Sequence, residues 1–286
     1  MRLHVGFVIA VTFSLTGCGG LLHDTEEVAN AAGDVMSSFD EAGQGASFAY
    51  LPRLQRKDFT EPTLYQRLSN ALIPSAHADA CILQTFSACS AASRSKMFSS
   101  CSIGAATLDG SVTLTFSQPD CSVMSVGDSV TRNASFTLTG PRAATLTVSS
   151  DGGGQKITKT ADGWAYTVLG MHRVAKDSKG NEVFNIDTKT LSDISVTGQK
   201  RAGRVMNGGQ LQITHDLAQY TTVLTPNNVT WDGTCNCAVS GSWTGTVTNE
   251  AGKSEDFSIE ITGCGKATVT TQKQTKNVSF DRCGGI

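Results

Sequence analysis

Cysteine is the residue type whose spacing most constrains the chemistry of this chain. The sequence contains nine cysteines, and an odd number leaves one outside any complete set of intramolecular disulfides. Eight of them lie in two groups that are far apart in sequence: Cys81, Cys89, Cys101 and Cys121, then Cys235, Cys237, Cys264 and Cys283. We expect these eight to form disulfides within their own groups, and the ninth, Cys18, to have a separate role.

The cysteine spacing argues against a zinc site. Structural zinc sites use Cys-x-x-Cys pairs and closely spaced histidines, and neither accompanies these cysteines. Cys235 and Cys237 would project to the same face of an extended strand, where they are poorly placed to bond each other. Their expected partners are therefore Cys264 and Cys283, in either order. Copper bound by the Cys-x-Cys pair is the metal alternative, but we predict no metal and no cofactor.

Motifs for catalysis are absent from the sequence. His215 and Asp216 are adjacent, so on a strand they project to opposite faces and cannot share one ligand. Gly252-Lys253-Ser254 matches the last three residues of a phosphate-binding loop. That loop also needs a glycine five residues before Gly252, where this chain has Val247. We therefore predict no catalytic residue from a motif. A Ser-His-Asp triad assembled from separate strands stays open, because such triads are recognised by geometry and not by order in the chain.

The N-terminus carries an export signal, with Arg2 ahead of an apolar run from Val5 to Leu15. Leu15-Thr16-Gly17-Cys18 resembles the lipobox of bacterial lipoproteins. The resemblance implies cleavage before Cys18, a signal peptide over residues 1–17, and diacylglyceryl and palmitate chains on Cys18 that anchor the chain to a membrane. Gly19 stands where an aspartate often retains lipoproteins at the inner membrane, so we expect the outer membrane of a Gram-negative bacterium.

The charge balance excludes nucleic acid as a partner. Basic and acidic side chains number 23 and 25, which provides no basic footprint. The one small basic cluster, Lys200, Arg201 and Arg204, is predicted to be an exposed loop. The expected partners are the membrane, through the N-terminal lipid, and an envelope protein or a glycan.

The chain divides into a spacer and a β domain. Residues 18–76 are predicted to be a lipid-anchored spacer with a short helix, because Val28, Ala31, Val35 and Phe39 recur at helical spacing. Residues 77–286 are predicted to be a Cys-rich antiparallel β domain, because apolar residues alternate with Ser and Thr in Val112–Phe116 and Phe257–Ile261.

Glycine-rich segments between the apolar runs predict short hairpin turns. These are Asp109-Gly110, Asp151-Gly152-Gly153-Gly154, Asp162-Gly163, Lys179-Gly180-Asn181, Asn207-Gly208-Gly209, Asp232-Gly233 and Ala251-Gly252. The expected fold is mainly β, an antiparallel β-sandwich or a curved half-barrel stapled by disulfides. If the strand through Cys235 and Val247 is continuous, Cys235, Cys237 and Trp243 share its inner face.

These features predict a lipid-anchored cell-envelope protein with a non-enzymatic binding, adhesion or structural role. The alternative is an envelope hydrolase, or a carrier of a glycan or lipid, with a site in a cleft of the β domain. In that case Trp164, Trp231 or Trp243 would provide a stacking platform.

Overall fold

The computed structural model describes residues 86–103, 106–140, 143–198, 202–235 and 237–279. The predicted signal peptide, the spacer, and Cys18, Cys81 and Cys283 lie outside these ranges. Within them, no helix is long and apolar enough to cross a membrane.

The described chain is an all-β structure, which confirms the predicted fold class. Every pairing between its strands is antiparallel. The strands are β1 Ser93–Ile103, β2 Ala106–Phe116, β3 Ser129–Thr139, β4 Thr145–Lys159, β5 Gly163–Lys176, β6 Glu182–Ser192, β7 Ile194–Thr197, β8 Val205–Asn207, β9 Gln210–His215, β10 Tyr220–Trp231, β11 Ala238–Asn249, β12 Ser254–Gly263, β13 Lys266–Thr271 and β14 Thr275–Ser279.

These strands form one sheet in which sequence neighbours lie side by side. The order of strands is β1-β2-β3-β4-β5-β6-β9-β10-β11-β12-β13-β14. β6 and β7 pair with successive parts of β5 and are separated by Asp193, so together they act as one long interrupted strand. β8 and β9 pair in the same way with successive parts of β10. The topology is therefore an up-and-down meander.

A line of irregular positions crosses the middle of the sheet from strand to strand, and we call it the crease. The strand register shifts along it in five pairs of strands: β1 and β2, β3 and β4, β4 and β5, β6 and β9, and β10 and β11. The crease comprises Ser100, Gly110, Asn133, residues 150–154, Leu169, Leu191, Asp193, Gly208, Gly209, Asn228 and Gly241. Because β-bulges bend a strand and increase its twist, bulges aligned on adjacent strands bend the whole sheet.

The bent sheet encloses a hydrophobic core. Each strand from β1 to β14 contributes at least one buried side chain to the same cluster, including Phe98 on the first strand and Val278 on the last. Tyr166 and Trp243 are the largest of its fully buried side chains. One flat sheet cannot bury such side chains by itself, so the sheet curves with its apolar face inward.

Three of the predicted hairpin turns are wrong, and the crease explains why. Asp109-Gly110 lies inside β2, residues 151–154 lie inside β4, and Asn207-Gly208-Gly209 marks the break between β8 and β9. Glycines with positive φ serve bulges as well as turns, so local composition does not separate the two uses. The segments at Asp162-Gly163, Lys179-Gly180-Asn181, Asp232-Gly233 and Ala251-Gly252 do connect strands, as predicted.

The segment from Cys235 to Val247 is not one continuous alternation. Cys235 and Cys237 precede β11 and are buried, Ala238 is buried, and Trp243 is buried at the opposite parity to Ala238. Gly241 lies at the register shift that reverses the alternation. The predicted inward orientation of Cys235, Cys237 and Trp243 is confirmed, although the strand geometry assumed for it is wrong.

Replacing Gly241 with Ala should strongly destabilise the fold. Gly241 has φ +97°, and a Cβ placed on it would lie 2.3 Å from the carbonyl oxygen of Asn228 on the neighbouring strand. Left-handed strain and this backbone clash together should lower the free energy of unfolding by about 2 kcal/mol or more, measured by denaturant titration.

Gly252→Ala is the matched control. Gly252 also has positive φ, +77°, but within the described chain a Cβ added to it would have open space for 4 Å around. This substitution should cost about 1 kcal/mol from the backbone conformation alone. Equal losses in the two variants would contradict the role assigned to the crease.

Candidate functional site

Two disulfides join cysteines within the predicted groups. Cys89 bonds Cys121, and Cys235 bonds Cys264. Cys237 is also disulfide-bonded. As expected from their spacing, Cys235 and Cys237 do not bond each other. The first disulfide joins the segment before β1 to the loop between β2 and β3, and the second joins the loops on either side of β11 and β12.

The prediction that Cys101 takes part in a disulfide is wrong. It is a free thiol, 1% exposed, and its side chain belongs to the hydrophobic core. It follows the bulge in β1, which directs its side chain inward to the core and away from the disulfides seen in the described chain. A buried apolar environment makes such a thiol inert in the folded protein.

The burial of Cys101 predicts a selective labelling pattern. Iodoacetamide added to the folded protein should leave the Cys101 peptide unmodified, and iodoacetamide added in denaturant without reductant should modify it. Peptide mapping by mass spectrometry distinguishes the two states. A Cys101 peptide that reacts only after reduction would show a disulfide at this position and contradict the structure.

Two of the three tryptophans cannot serve as a stacking platform. Trp231 is 2% exposed and Trp243 is fully buried, and both belong to the core. Trp164 is half-buried and packs against the same core. Trp231 and Trp243 therefore have a structural role, and of the three predicted alternatives only Trp164 has an exposed part.

The remaining sequence candidates have structural explanations. His215 is buried, and its Nδ1 accepts a hydrogen bond from the backbone N–H of Ala218 at 3.0 Å. Gly252 lies in the turn between β11 and β12, where its N–H donates to the carbonyl of Asn249.

Arg204 is 3% exposed, so its predicted place in an exposed basic loop is wrong, and burial lowers the pKa of its guanidinium. Lys200 and Arg201 lie outside the described residues.

In each of two turns, the side chain of an aspartate accepts hydrogen bonds from other residues of the same turn. The side-chain amide and backbone N–H of Asn181 donate to Asp177, and these hydrogen bonds lower the pKa of the Asp177 carboxyl. Backbone N–H groups of Thr234 and Cys235 donate in the same way to Asp232. Among the described residues, no three His, Cys, Asp or Glu side chains lie close enough together to hold a metal ion.

The outward side of the sheet, which we call the polar face, is covered by hydroxyl groups. Because the strands are in register, outward residues line up in rows that cross the sheet. A long row runs over nine strands and contains Ser111, Ser135, Ser149, His172, Asp187, Thr214, Thr221, Thr248 and Ser254. We call it the hydroxyl row.

Within the polar face, an open trough of about 600 Å³ crosses β9 to β13. Thr225, Thr244, Ser258 and Thr270 are successive cross-strand partners along it. The carboxylate of Asp256 lies at its side, where it accepts a hydrogen bond of 2.6 Å from Thr246. Among the described residues that line the trough, none is a lysine or an arginine.

The hydroxyl row contains a His–Asp pair. The Nδ1 atom of His172 lies 2.8 Å from Oδ1 of Asp187, and the two side chains are 26% and 54% exposed. Since a carboxylate accepts hydrogen bonds and does not donate them, Nδ1 carries the proton in this contact. This pair was not found from the sequence, because the register that makes the two residues neighbours is set by the hairpin between β5 and β6.

No known protein family, no curated protein and no solved structure matches this chain. The chemistry available to it must therefore be argued from its own residues. In the described part of the chain, these are the hydroxyl row, the trough, and the disulfides that hold the sheet beneath them.

Proposed function

We propose that the protein is a lipid-anchored cell-envelope protein that binds a hydroxyl-rich partner, an envelope glycan, through the trough of its polar face. The observation that carries the proposal is the regular array of Ser and Thr hydroxyls on a disulfide-stapled sheet. The lipid is attached at Cys18, and residues 18–76 act as the spacer between membrane and β domain. The outer membrane is the proposed location.

The disulfides support a location outside the cytosol. Disulfides persist in oxidising compartments and are rare where glutathione keeps thiols reduced. Cys89–Cys121 and Cys235–Cys264 each close a loop of about thirty residues, with separations of 32 and 29. Cross-links of this length stabilise a fold by about 3 to 4 kcal/mol in the chain-entropy model. This contribution requires the oxidising surroundings that export provides.

The trough lining supports a neutral, hydroxyl-bearing ligand. A hydroxyl group both donates and accepts hydrogen bonds, so rows of Thr and Ser can pair with the hydroxyls of a sugar chain in either sense. The absence of cationic side chains from the described lining argues against a phosphate or a nucleic acid as the principal ligand. The openness of the trough fits a polymer that lies across strands rather than an enclosed small molecule.

Cys18→Ala should release the protein from the membrane. Without the thiol no diacylglyceryl group can be attached, so the variant should lose a metabolically incorporated palmitate analogue and move to the soluble fraction on ultracentrifugation. Cys101→Ala is the matched cysteine control and should keep both the label and the membrane association. A Cys18→Ala protein that still sediments with membranes would refute lipid anchoring at this residue.

Thr244→Glu should weaken binding to a glycan about tenfold, equivalent to about 1.4 kcal/mol. Thr244 is an exposed residue in the trough, so the longer charged side chain blocks the path of the ligand without touching the core. The probe is purified peptidoglycan sacculi, and the measurement is the fraction of protein that cosediments with them.

Thr115→Glu provides the comparison, because Thr115 is an exposed threonine of β2 outside the trough. It should leave cosedimentation unchanged. If both variants lose binding equally, the loss arises from added negative charge and not from the trough. If neither the parent protein nor the variants cosediment, peptidoglycan is not the ligand and the proposed glycan recognition fails.

A further inference from the structure

We propose that Ser149, His172 and Asp187 form a surface hydrolytic site that cleaves acyl esters carried by a hydroxylated polymer. Ser149 is the nucleophile, His172 is the general base, and Asp187 is the positioning residue that orients the imidazole. This activity goes beyond the proposed binding function and can fail or succeed independently of it.

The register brings the three residues together on adjacent strands. Ser149 on β4 lies opposite His172 on β5, and His172 lies opposite Asp187 on β6. All three are outward residues of the hydroxyl row. Directly opposed residues of antiparallel strands have Cβ atoms about 5 Å apart, which is within reach of a serine hydroxyl and an imidazole.

The orientation of His172 matches the role of a base. Its Nδ1–H donates to Asp187 at 2.8 Å on the β6 side of the ring. The two nitrogens of an imidazole face away from each other, so Nε2 is directed away from Asp187, and β4, which carries Ser149, lies on the opposite side of β5 from β6. A carboxylate at Nδ1 holds the tautomer in which neutral Nε2 accepts a proton.

The crease supplies backbone donors beside Ser149. Between the paired residues Ser149 and Gly154, residues 150–153 of β4 oppose the single residue Met171 of β5. Backbone N–H groups in such a bulge leave the regular ladder. Gly153, which lies between these two pairs, has φ +119°, a backbone conformation that residues with a side chain rarely adopt. These N–H groups are the proposed donors to a developing oxyanion.

The proposed reaction balances without a cofactor. The Ser149 oxygen attacks the ester carbonyl carbon while Nε2 of His172 takes the hydroxyl proton. Collapse of the tetrahedral intermediate breaks the bond to the alcohol, which leaves with that proton, and an acyl-Ser149 remains. Water then attacks the acyl group with His172 again as base, releasing the carboxylic acid and restoring Ser149.

The openness of the site points to the substrate class. The hydroxyl row continues on both sides of the three residues, with Ser135 on β3 and Thr214 on β9. A polymer of sugars can lie along these hydroxyls and present an O-acyl group to Ser149. A short acyl group, such as acetyl, fits this arrangement because it needs no deep pocket.

The test uses the whole lipidated protein, p-nitrophenyl acetate as substrate and a fluorophosphonate as covalent probe. The parent protein should hydrolyse the ester and give one adduct, mapped to Ser149 by mass spectrometry. Ser149→Ala and His172→Gln should each lower the second-order rate at least about 100-fold, the lower range for general-base catalysis. Asp187→Asn should lower the rate and the labelling together while the folded structure is retained by circular dichroism.

Ser195→Ala is the matched control, since Ser195 is an exposed serine of β7 that pairs with Ala165 and Asn207, outside both the hydroxyl row and the trough. It should keep full activity and labelling. The proposal is overturned if the parent protein gives no adduct at Ser149, or if Ser149→Ala hydrolyses the ester as fast as Ser195→Ala. Ser149→Ala should still bind sacculi, so loss of hydrolysis and loss of binding are distinguishable outcomes.

Discussion

The crease is the constraint on which the rest of the structure depends. A sheet with this many strands has two open edges and a large apolar face, and it must curve to remove that face from water. The bulges and left-handed positions lie on neighbouring strands, so their bends add in one direction. A Cβ at Gly110, Gly154, Gly209 or Gly241 would lie 2.1 to 2.3 Å from a carbonyl oxygen of the adjacent segment. The backbone therefore passes very close to itself where the sheet turns.

The same line shapes the chemistry of the polar face. Where β4 leaves its register after Ser149, the four residues of the bulge lie beside outward-facing hydroxyl and imidazole groups. Farther along the sheet, the in-register parts of β10 to β13 present their hydroxyls in line and form the trough. A rigid support with a local irregularity is a common way for a β-sheet to carry a site, because the core fixes the positions of the side chains above it.

Features that depend on neighbouring residues could be predicted from the sequence, whereas features that depend on the register of strand pairing could not. Alternation in Val112–Phe116 and Phe257–Ile261 predicted strands, and Lys179-Gly180-Asn181 predicted a turn, because both patterns are read from neighbouring residues. The inward orientation of Cys235 was predicted from parity, whereas the reversal at Gly241 was not, since one bulge shifts every following side chain to the other face. Hairpins separate Ser149, His172 and Asp187 in the sequence. Only the register of the strand pairing shows that they are neighbours. Cys101 was assigned to a disulfide by counting, and counting does not show that a side chain faces the core.

The up-and-down order of strands bears on how such a chain reaches its native state. Each long strand pairs with the next one along the chain, so loop closure between partners is short and its entropy cost small. A polypeptide delivered one end first could add strand upon strand without waiting for a distant segment. At every stage, however, the newest strand presents an unpaired edge, which is a template for association with other chains. In the strands that the crease crosses, the irregular backbone then helps to fix the register, since a slipped partner or a foreign strand would not match the bulges.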